Sequence, residues 1–351
     1  MLFQKQIIEC SGSMREMGQQ YGEAAKEFIA INVELFNKKY NAQDKNIFGA
    51  MAIDILSRKL PDVMEELRGI SEGSGLSLND IVLINQMPTF GESWLDEQCT
   101  PVCITDSPDG GIVAKNNDGI NFFEVGMRYA YVIRKTKPNK GIPMLQLTYA
   151  GWLSGMDAMN AEGLANMHGS VGSRFDKSGP RVDVRLAIYQ LMSTCRTTQE
   201  FAEGLMDFSL TGKGFSIIVC DKSGTATVVE AAVPLIHLRP HGKSFLTPAD
   251  KEFLFSTNMF MHPELRDADM RSPAMKEMAN YRFGYLKWCE KHKKPQTVDD
   301  IKGILSSHEP WAPCRHGGPD TEWSMIALPE KGKVLIAKGA PCKVNYQEYK
   351  I

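Results

Sequence analysis

The residues with the clearest chemical potential lie in the stretch 99–118, CTPVCITDSPDGGIVAKNND, which a thiol opens at Cys99 and a carboxylate closes at Asp118. A thiol becomes a strong nucleophile once ionised, so its neighbours decide what it can do. Residues 100–105 are rich in β-formers, SPDG supplies turn residues, and GIVAKN returns, which predicts a β-hairpin. Antiparallel pairing brings the open ends together and sets Cys99 near the Lys115–Asp118 segment, although 19 positions separate it from Asp118. Cys103 falls four residues later and is expected on the same strand face as Cys99. On the hairpin alone, the ordinary reading of Cys99 is a buried small hydrophobe.

Two other groupings carry weaker chemistry. Cys314-x-His316, near His308 and Asp320, is the only dense cluster of metal-ligand residue types, and no Cys-x2-Cys or HExxH accompanies it, so no metal is expected. Gly69-Ile-Ser71-Glu-Gly73 matches the G-x-S-x-G elbow of serine hydrolases. That elbow follows a strand, whereas here a helical pattern precedes, and the segment reads as a helix terminus.

The elements that must position these residues change in texture near residue 98. Before it, apolar residues recur at helical spacing over 13–40 and 47–59, Pro61 suits a first helical turn, and Ser77 caps a short helix reaching about residue 87. After it come short strand-like runs at 101–105, 111–116, 128–134 and 143–149, then a strand-turn-strand over 155–170. Helices return at 181–195 and after the capping-box spacing Thr197–Glu200. A hairpin over 214–233 and strands near 234–238 and 253–257 precede helices at 270–292 and 298–308, and two further strands follow. The loop at 310–319 is too rich in Pro and Gly to be regular. Helices, strands, helices, strands predict one continuous α+β domain over 1–351, not a Rossmann alternation.

Composition narrows the function classes. With 351 residues, 43% hydrophobic and 23% charged, and a net charge of −2, the chain is ordinary soluble protein with no basic surplus for nucleic acid or an anionic membrane. The N-terminus lacks an apolar signal core and no run suggests a membrane span, so a cytoplasmic location is expected. Eight scattered cysteines then read as free thiols. No phosphate-cradling loop demands a cofactor, and none is expected.

Several segments resemble, in one order, the family that includes acyl-coenzyme A:isopenicillin N acyltransferase and β-alanyl-dopamine hydrolase. They are SGSMREMGQQYG, EELRGISEGSGLSLNDIVLIN, the hairpin from Cys99, GWLSGMDAMNAEGLANM, PRVDVRLAIYQL, GFSIIVCDKSGTATVVEAA, STNMF, CRH and AKGAPCKVNYQEY. More distantly, the hairpin is similar to the start of bile salt hydrolases and penicillin V acylases. The resemblance implies the four-layer αββα fold of N-terminal-nucleophile hydrolases, two stacked antiparallel sheets between helical layers. It also implies a precursor that cuts itself between Gln98 and Cys99, leaving 1–98 as a helical small subunit associated with a large subunit, 99–351. Gln98 departs from the glycine that relatives often carry before the cysteine.

By the same resemblance Cys99 is nucleophile and, through its freed α-amine, its own base. Asp118 holds the new amino terminus, and Asn258 in STNMF donates to the oxyanion. A second donor is expected among Asn166, His168 and Ser170. Lys115 stands where bile salt hydrolases carry an arginine, without the planar fork. On the residues alone Asp118 reads equally as a turn residue, Asn116 and Asn117 read rather as turn residues, Lys115 as a strand residue, and Arg185 as an ion-pair residue of a helix. The regions of Trp152, Trp311 and Trp323 furnish either an acyl pocket or core. The resulting expectation is an amide hydrolase working through an acyl-thioester on Cys99, with a small-molecule amide or acyl donor as partner. A homo-oligomer is allowed. The competing readings are an acyltransferase that passes the acyl group to an amine and an unprocessed, non-catalytic binding protein of the same fold.

Overall fold

The computed structural model describes residues 2–4, 6–37, 42–86, 98–119, 129–175, 179–239, 253–317 and 319–351. Strands β1 (Leu2–Phe3) and β2 (Ile8–Gly12) precede helices α1 (Met14–Ala24), α2 (Lys26–Asn37), α3 (Ala42–Lys59), α4 (Pro61–Ser74) and α5 (Leu78–Asn85). Next come β3 (Thr100–Ile104), β4 (Ile112–Gly119), β5 (Ala130–Pro138), β6 (Met144–Tyr149), β7 (Ala158–Asn160), β8 (Ala165–Val171) and β9 (Val182–Asp183). Helices α6 (Val184–Met192) and α7 (Thr198–Met206) lead to β10 (Leu210–Thr211), β11 (Gly214–Cys220), β12 (Ala226–Ala232), β13 (Leu235–Leu238) and β14 (Phe253–Phe255). Helices α8 (Pro273–His292) and α9 (Val298–Ser306) and strands β15 (Asp320–Leu328), β16 (Lys333–Ala337) and β17 (Gln347–Lys350) complete the chain.

Local signals explain most boundaries. Ser13 and Glu16 close a capping box on α1, Thr197 and Glu200 one on α7, and Pro61 occupies the first turn of α4. The helix expected over 13–40 is two helices that part at Ala25, and its end at 38–40 lies outside the described residues, as do Met87 and Arg128. The short terminal strands β1, β2 and β17 were not expected from the pattern.

The sheets stack because both of their faces are apolar. The nine-stranded sheet runs β1-β5-β6-β7-β8-β11-β12-β13 with β2 also on β5, and the six-stranded sheet runs β14-β3-β4-β15-β16-β17. Alternate residues of each strand enter different cores. Cys103 and Val113 meet Met167, Ile218 and Met325 between the sheets, while Val102, Ile104 and Ala114 meet Leu286, Ile301 and Leu305 of α8 and α9. On the far side of the larger sheet, Ile217, Val219 and Val229 pack with residues of α1–α7 such as Met17, Leu67 and Ile188. The order is therefore helices, sheet, sheet, helices, the αββα arrangement. Among the described residues no helix is long and apolar enough to cross a membrane.

Buried polar side chains fasten the helical first quarter to the larger sheet. Asn32 Nδ2 donates to the carbonyls of Ala130 at 3.0 Å and Ala150 at 2.8 Å, and Asn32 Oδ1 accepts from Ala130 N at 2.9 Å. Asn85 bridges Gly151 O and Leu153 N, and Gln86 bridges Arg181 O and Asp183 N. Arg134 of β5 pairs with Glu66 of α4, both buried, and Tyr189 Oη donates to the same carboxylate at 2.8 Å.

The G-x-S-x-G segment lies inside α4 near its end, and its glycines are packing devices. A Cβ on Gly69 would sit 2.1 Å from Arg15 O, and one on Gly18 of α1 would sit 2.1 Å from Glu66 O. The bare backbones of α1 and α4 thus touch, and the helix closes at Gly75 in the left-handed region, φ 71°. Gly69→Ala is expected to destabilise the chain by about 1–3 kcal/mol, overpacking outweighing the helix-propensity gain of about 1 kcal/mol. Gly284→Ala on α8, where a Cβ meets nothing within 4 Å among the described residues, should be neutral or stabilising. Urea unfolding of the two variants beside the parent checks the opposite signs.

Candidate active site

The β3–β4 register builds the site. Thr100 pairs with Asn116, so one step outward Cys99 faces Asn117, and Gln98 N donates to Asp118 O at 3.2 Å. Alternation sends Cys99, Asn117 and Lys115 toward the space between the sheets, and Thr100, Asn116 and Asp118 toward α8 and α9. Cys99 is fully buried, and its Sγ donates to Asn117 Oδ1 at 3.4 Å. Asn117 Nδ2 in turn donates to Tyr131 Oη and Glu322 Oε2, each at 3.4 Å. Tyr131 Oη donates to Glu322 Oε2 and lies 3.0 Å from Tyr149 Oη. Burial, then the Glu322 carboxylate and Tyr149, push the Tyr131 hydroxyl well above its ordinary pKa, so it stays a donor.

A β-bulge delivers Glu322. Thr321 pairs with Asp118 and Trp323 with Asn117, which leaves Glu322 as the extra residue of β15. Its carboxyl occupies the place of a side chain on Gly119: a Cβ there would lie 2.1 Å from Glu322 Cδ. Gly119 is thus required beside the acid.

On the helix side a buried guanidinium meets the backbone before the thiol. Arg282 Nη1 reaches Gln98 O at 2.5 Å, Cys99 O at 2.7 Å and Thr100 Oγ1 at 2.9 Å, and Nη2 donates to Asn258 Oδ1 at 2.9 Å. Burial lowers the Arg282 pKa to about 10, with Asp118 acting against the fall, so the group is charged at neutral pH. Asp118 is fully buried; Oδ1 accepts from Thr321 Oγ1 at 2.7 Å, while Oδ2 has no hydrogen-bond partner among the described residues. Burial raises its carboxyl to about 6 against the pull of Arg282, Thr321, Arg315 and Lys115. Gln98 is held at its other end, its Oε1 accepting from Arg315 Nη1 at 3.0 Å and its Nε2 facing Met275 Sδ at 3.0 Å.

The remaining candidates separate into two places. Asn258 lies beside Cys99 through Arg282, but its Nδ2 donates to Ser170 O at 2.8 Å. An arginine offers only donors and a carbonyl only an acceptor, so the amide orientation follows, and in this state Asn258 positions Arg282. Lys115 is buried away from the thiol's hydrogen bond: Nζ donates to Asp157 Oδ2 at 2.9 Å and lies 3.4 Å from His168 Nδ1. His168 Nδ1 is 3.0 Å from Asp157 Oδ1. Burial alone would raise the Asp157 carboxyl, yet His168 and Lys115 hold it below its ordinary pKa. Asn166 Nδ2 donates to Gly155 O at 2.8 Å, and Ser170 Oγ accepts from Lys213 Nζ at 3.1 Å. Asn116, expected to serve a turn, is a strand residue whose Nδ2 donates to Leu305 O at 2.8 Å. Cys103 packs against Cys220 between the sheets. Arg185 is an ion-pair residue, on Asp183 at 2.8 Å. Trp152 and Trp323 are core, while Trp311 is exposed and stacks on Tyr281 with ring centroids 4.0 Å apart.

Arg282, Glu322, Tyr131, Thr321, Arg315 and Asp157 were not picked out from the sequence. Arg282 left a signal: it falls in register with Ala279, Leu286 and Cys289, an arginine in an apolar helix stripe. The metal-ligand cluster also changes. Asp320 Oδ1 accepts from Gly317 N at 2.6 Å, and Cys342 joins His308, Cys314 and His316 instead, with all four ligand atoms within 4.8 Å of one another.

The sequence profile of the acyl-coenzyme A:6-aminopenicillanic acid acyl-transferase family matches residues 105–306. The acyl-coenzyme A:6-aminopenicillanic-acid-acyltransferase 40 kDa form of Emericella nidulans is 25% identical over 168 residues, 45% of this chain and 45% of its own length, so the match spans less than half of that relative. Penicillin V acylase from Agrobacterium tumefaciens is similar with a TM-score of 0.43 and 12% identity over 72% of this chain and 86% of that chain. The N-acylethanolamine-hydrolyzing acid amidase ortholog of Caenorhabditis elegans has a TM-score of 0.42 and 16% identity over 66% and 93%.

The raised carboxyl of Asp118 has a signed consequence. Its folded pKa of about 6 lies above the unfolded value near 3.8, so the folded chain binds the extra proton between them and stability falls as pH rises from about 4 to about 6. The expected loss is about 3 kcal/mol. In a Cys99→Ala background, Asp118→Asn should remove this slope. Urea unfolding across that pH range checks it, and an unchanged slope in the double variant counts against a protonated Asp118.

Proposed function

The chain belongs to the acyl-coenzyme A:6-aminopenicillanic acid acyl-transferase family, and from that premise we propose that it is a self-processing cysteine hydrolase of linear or small-molecule amides with Cys99 as nucleophile. The observation that carries this reading is the charged Arg282 Nη1 at 2.5 Å from the carbonyl oxygen of Gln98, the carbonyl directly before the thiol. A cation on that oxygen polarises the bond and stabilises the oxyanion that forms when sulfur attacks. In the processing step the Cys99 Sγ–C bond to Gln98 forms as the C–N bond breaks and the nitrogen takes the thiol proton. Water then hydrolyses the thioester, leaving a Gln98 carboxylate and a free Cys99 amine. Asp118 Oδ2, buried without a hydrogen-bond partner among the described residues, is a ready acceptor for the new ammonium.

In the processed enzyme the α-amine takes the thiol proton, the thiolate attacks the substrate carbonyl, and the amine leaves with that proton. The acyl-thioester on Cys99 is resolved by water. The Emericella relative's name favours a second resolution, in which an amine acceptor takes the acyl group. The helical segment 1–98 stays in place as the small subunit through Asn32, Asn85, Gln86 and the Glu66–Arg134 pair.

Intact mass should give two fragments divided between 98 and 99, while Cys99→Ala remains one chain with no turnover. Arg282→Met is expected to slow processing by about 10²–10³-fold, with Arg282→Lys between it and the parent. Turnover of N-acyl amino acids, β-alanyl amines and β-lactam side-chain amides, with and without an amine acceptor, separates hydrolysis from transfer. A parent that stays full length with a Cys99 resistant to thiol labelling, or a Cys99→Ala variant that still turns over substrate, defeats the reading.

A further inference from the structure

Three separate segments converge away from Cys99. His308 directly follows α9 and its Ser307 cap, Cys314 and His316 flank one residue of the loop before β15, and Cys342 lies in the tight turn between β16 and β17. That turn is closed by Lys343 N and Val344 N donating to Ala340 O at 2.9 and 3.1 Å. His316 Nε2 lies 3.8 Å from Cys314 Sγ and 3.2 Å from Cys342 Sγ, and the rings of His308 and His316 are perpendicular with centroids 5.1 Å apart. In a tetrahedral zinc site with ordinary Zn–S and Zn–N bonds, sulfur and nitrogen ligands sit about 3.6 Å apart. The two observed separations bracket that value, and the perpendicular rings aim two imidazoles from different directions.

We propose that His308, Cys314, His316 and Cys342 form a structural zinc site. Two thiols and two imidazoles are the donor set that zinc takes, and four protein ligands close its coordination sphere, leaving no open position for substrate. Binding releases the two thiol protons to solvent, and two thiolates then neutralise the dication. Cys314 is buried and the other three ligands are exposed, so the ion enters from the surface. The site acts on the fold through what lies between its ligands. Arg315, between Cys314 and His316, donates to Gln98 Oε1 at 3.0 Å, and its backbone N donates to Thr321 Oγ1 at 2.9 Å, the hydroxyl that holds Asp118. The metal thereby ties the turn before the last strand to the loop that braces Gln98 and Asp118.

The test uses the full chain expressed with zinc under reducing conditions, dialysed against metal-free buffer and assayed by elemental analysis. One zinc per chain is expected, with zinc content reduced about tenfold or more in Cys342→Ala and in His308→Ala. His262→Ala, in the separate His237–His262–Glu264 group, should keep its zinc. Loading the metal-free chain with cobalt(II) should give the visible bands of a tetrahedral site and a near-ultraviolet thiolate charge-transfer band, a readout that does not depend on activity or processing. Zinc at the level of the buffer blank, zinc undiminished in both ligand variants, or a chain lighter by two hydrogens with Cys314 and Cys342 in one disulfide-linked peptide overturns the proposal.

Discussion

The buried guanidinium of Arg282 is the interaction on which the site depends. It has no exposed surface of consequence, so every hydrogen bond it makes replaces water that it has lost, and it makes them to two chain segments, 98–100 and 258. The partners are two carbonyls, a hydroxyl and an amide oxygen, with the Asp118 carboxylate as the opposing charge. A lysine would keep the charge and lose the fork that spans these groups. Thr257 Oγ1, donating to Ala279 O at 3.1 Å, locks the neighbouring strand end to the same helix.

The second determinant is the packing of the six-stranded sheet on both faces. Because neither face is solvated, each step along β4 places a side chain in a different dry layer, and polar residues there need specified partners. Asn116 finds the carbonyl at the end of α9, Lys115 finds Asp157, and Asn117 joins the thiol to the Tyr131–Glu322 pair. The β15 bulge adds the one residue that makes the last arrangement possible. The thiol environment is thus a product of strand register plus one insertion.

Much of the layered fold was legible because its signals are local. The hairpin turn at Ser107–Gly110, Pro61, the capping boxes at Ser13 and Thr197, and the change of period after residue 98 are each set by a few neighbouring residues. The short strands at the termini were not, since Gln347–Lys350 is an exposed edge strand of polar residues with no buried face to impose alternation. That Cys99 and Asp118 lie near each other was legible from the hairpin. Arg282 was not, because its partners at 98–100 are more than 180 positions away. Cys342 was hidden for the same reason, standing 26 positions from His316 until a turn brings it back. Gly69 and Gly73 show the reverse error, a spacing that belongs to a catalytic elbow in one setting and to touching helix backbones in another.

The fastenings made by Asn32, Asn85 and Gln86 bear on the order of events in the molecule's life. Each of these amides satisfies backbone groups that belong to the part of the chain after residue 98. Neither part can satisfy them alone, so the helical layer and the sheet acquire structure as one cooperative unit. The break after residue 98 that we propose would therefore leave two pieces, each holding groups that the other satisfies. Once its two pieces come apart they no longer share the short tether that kept each at high effective concentration to the other.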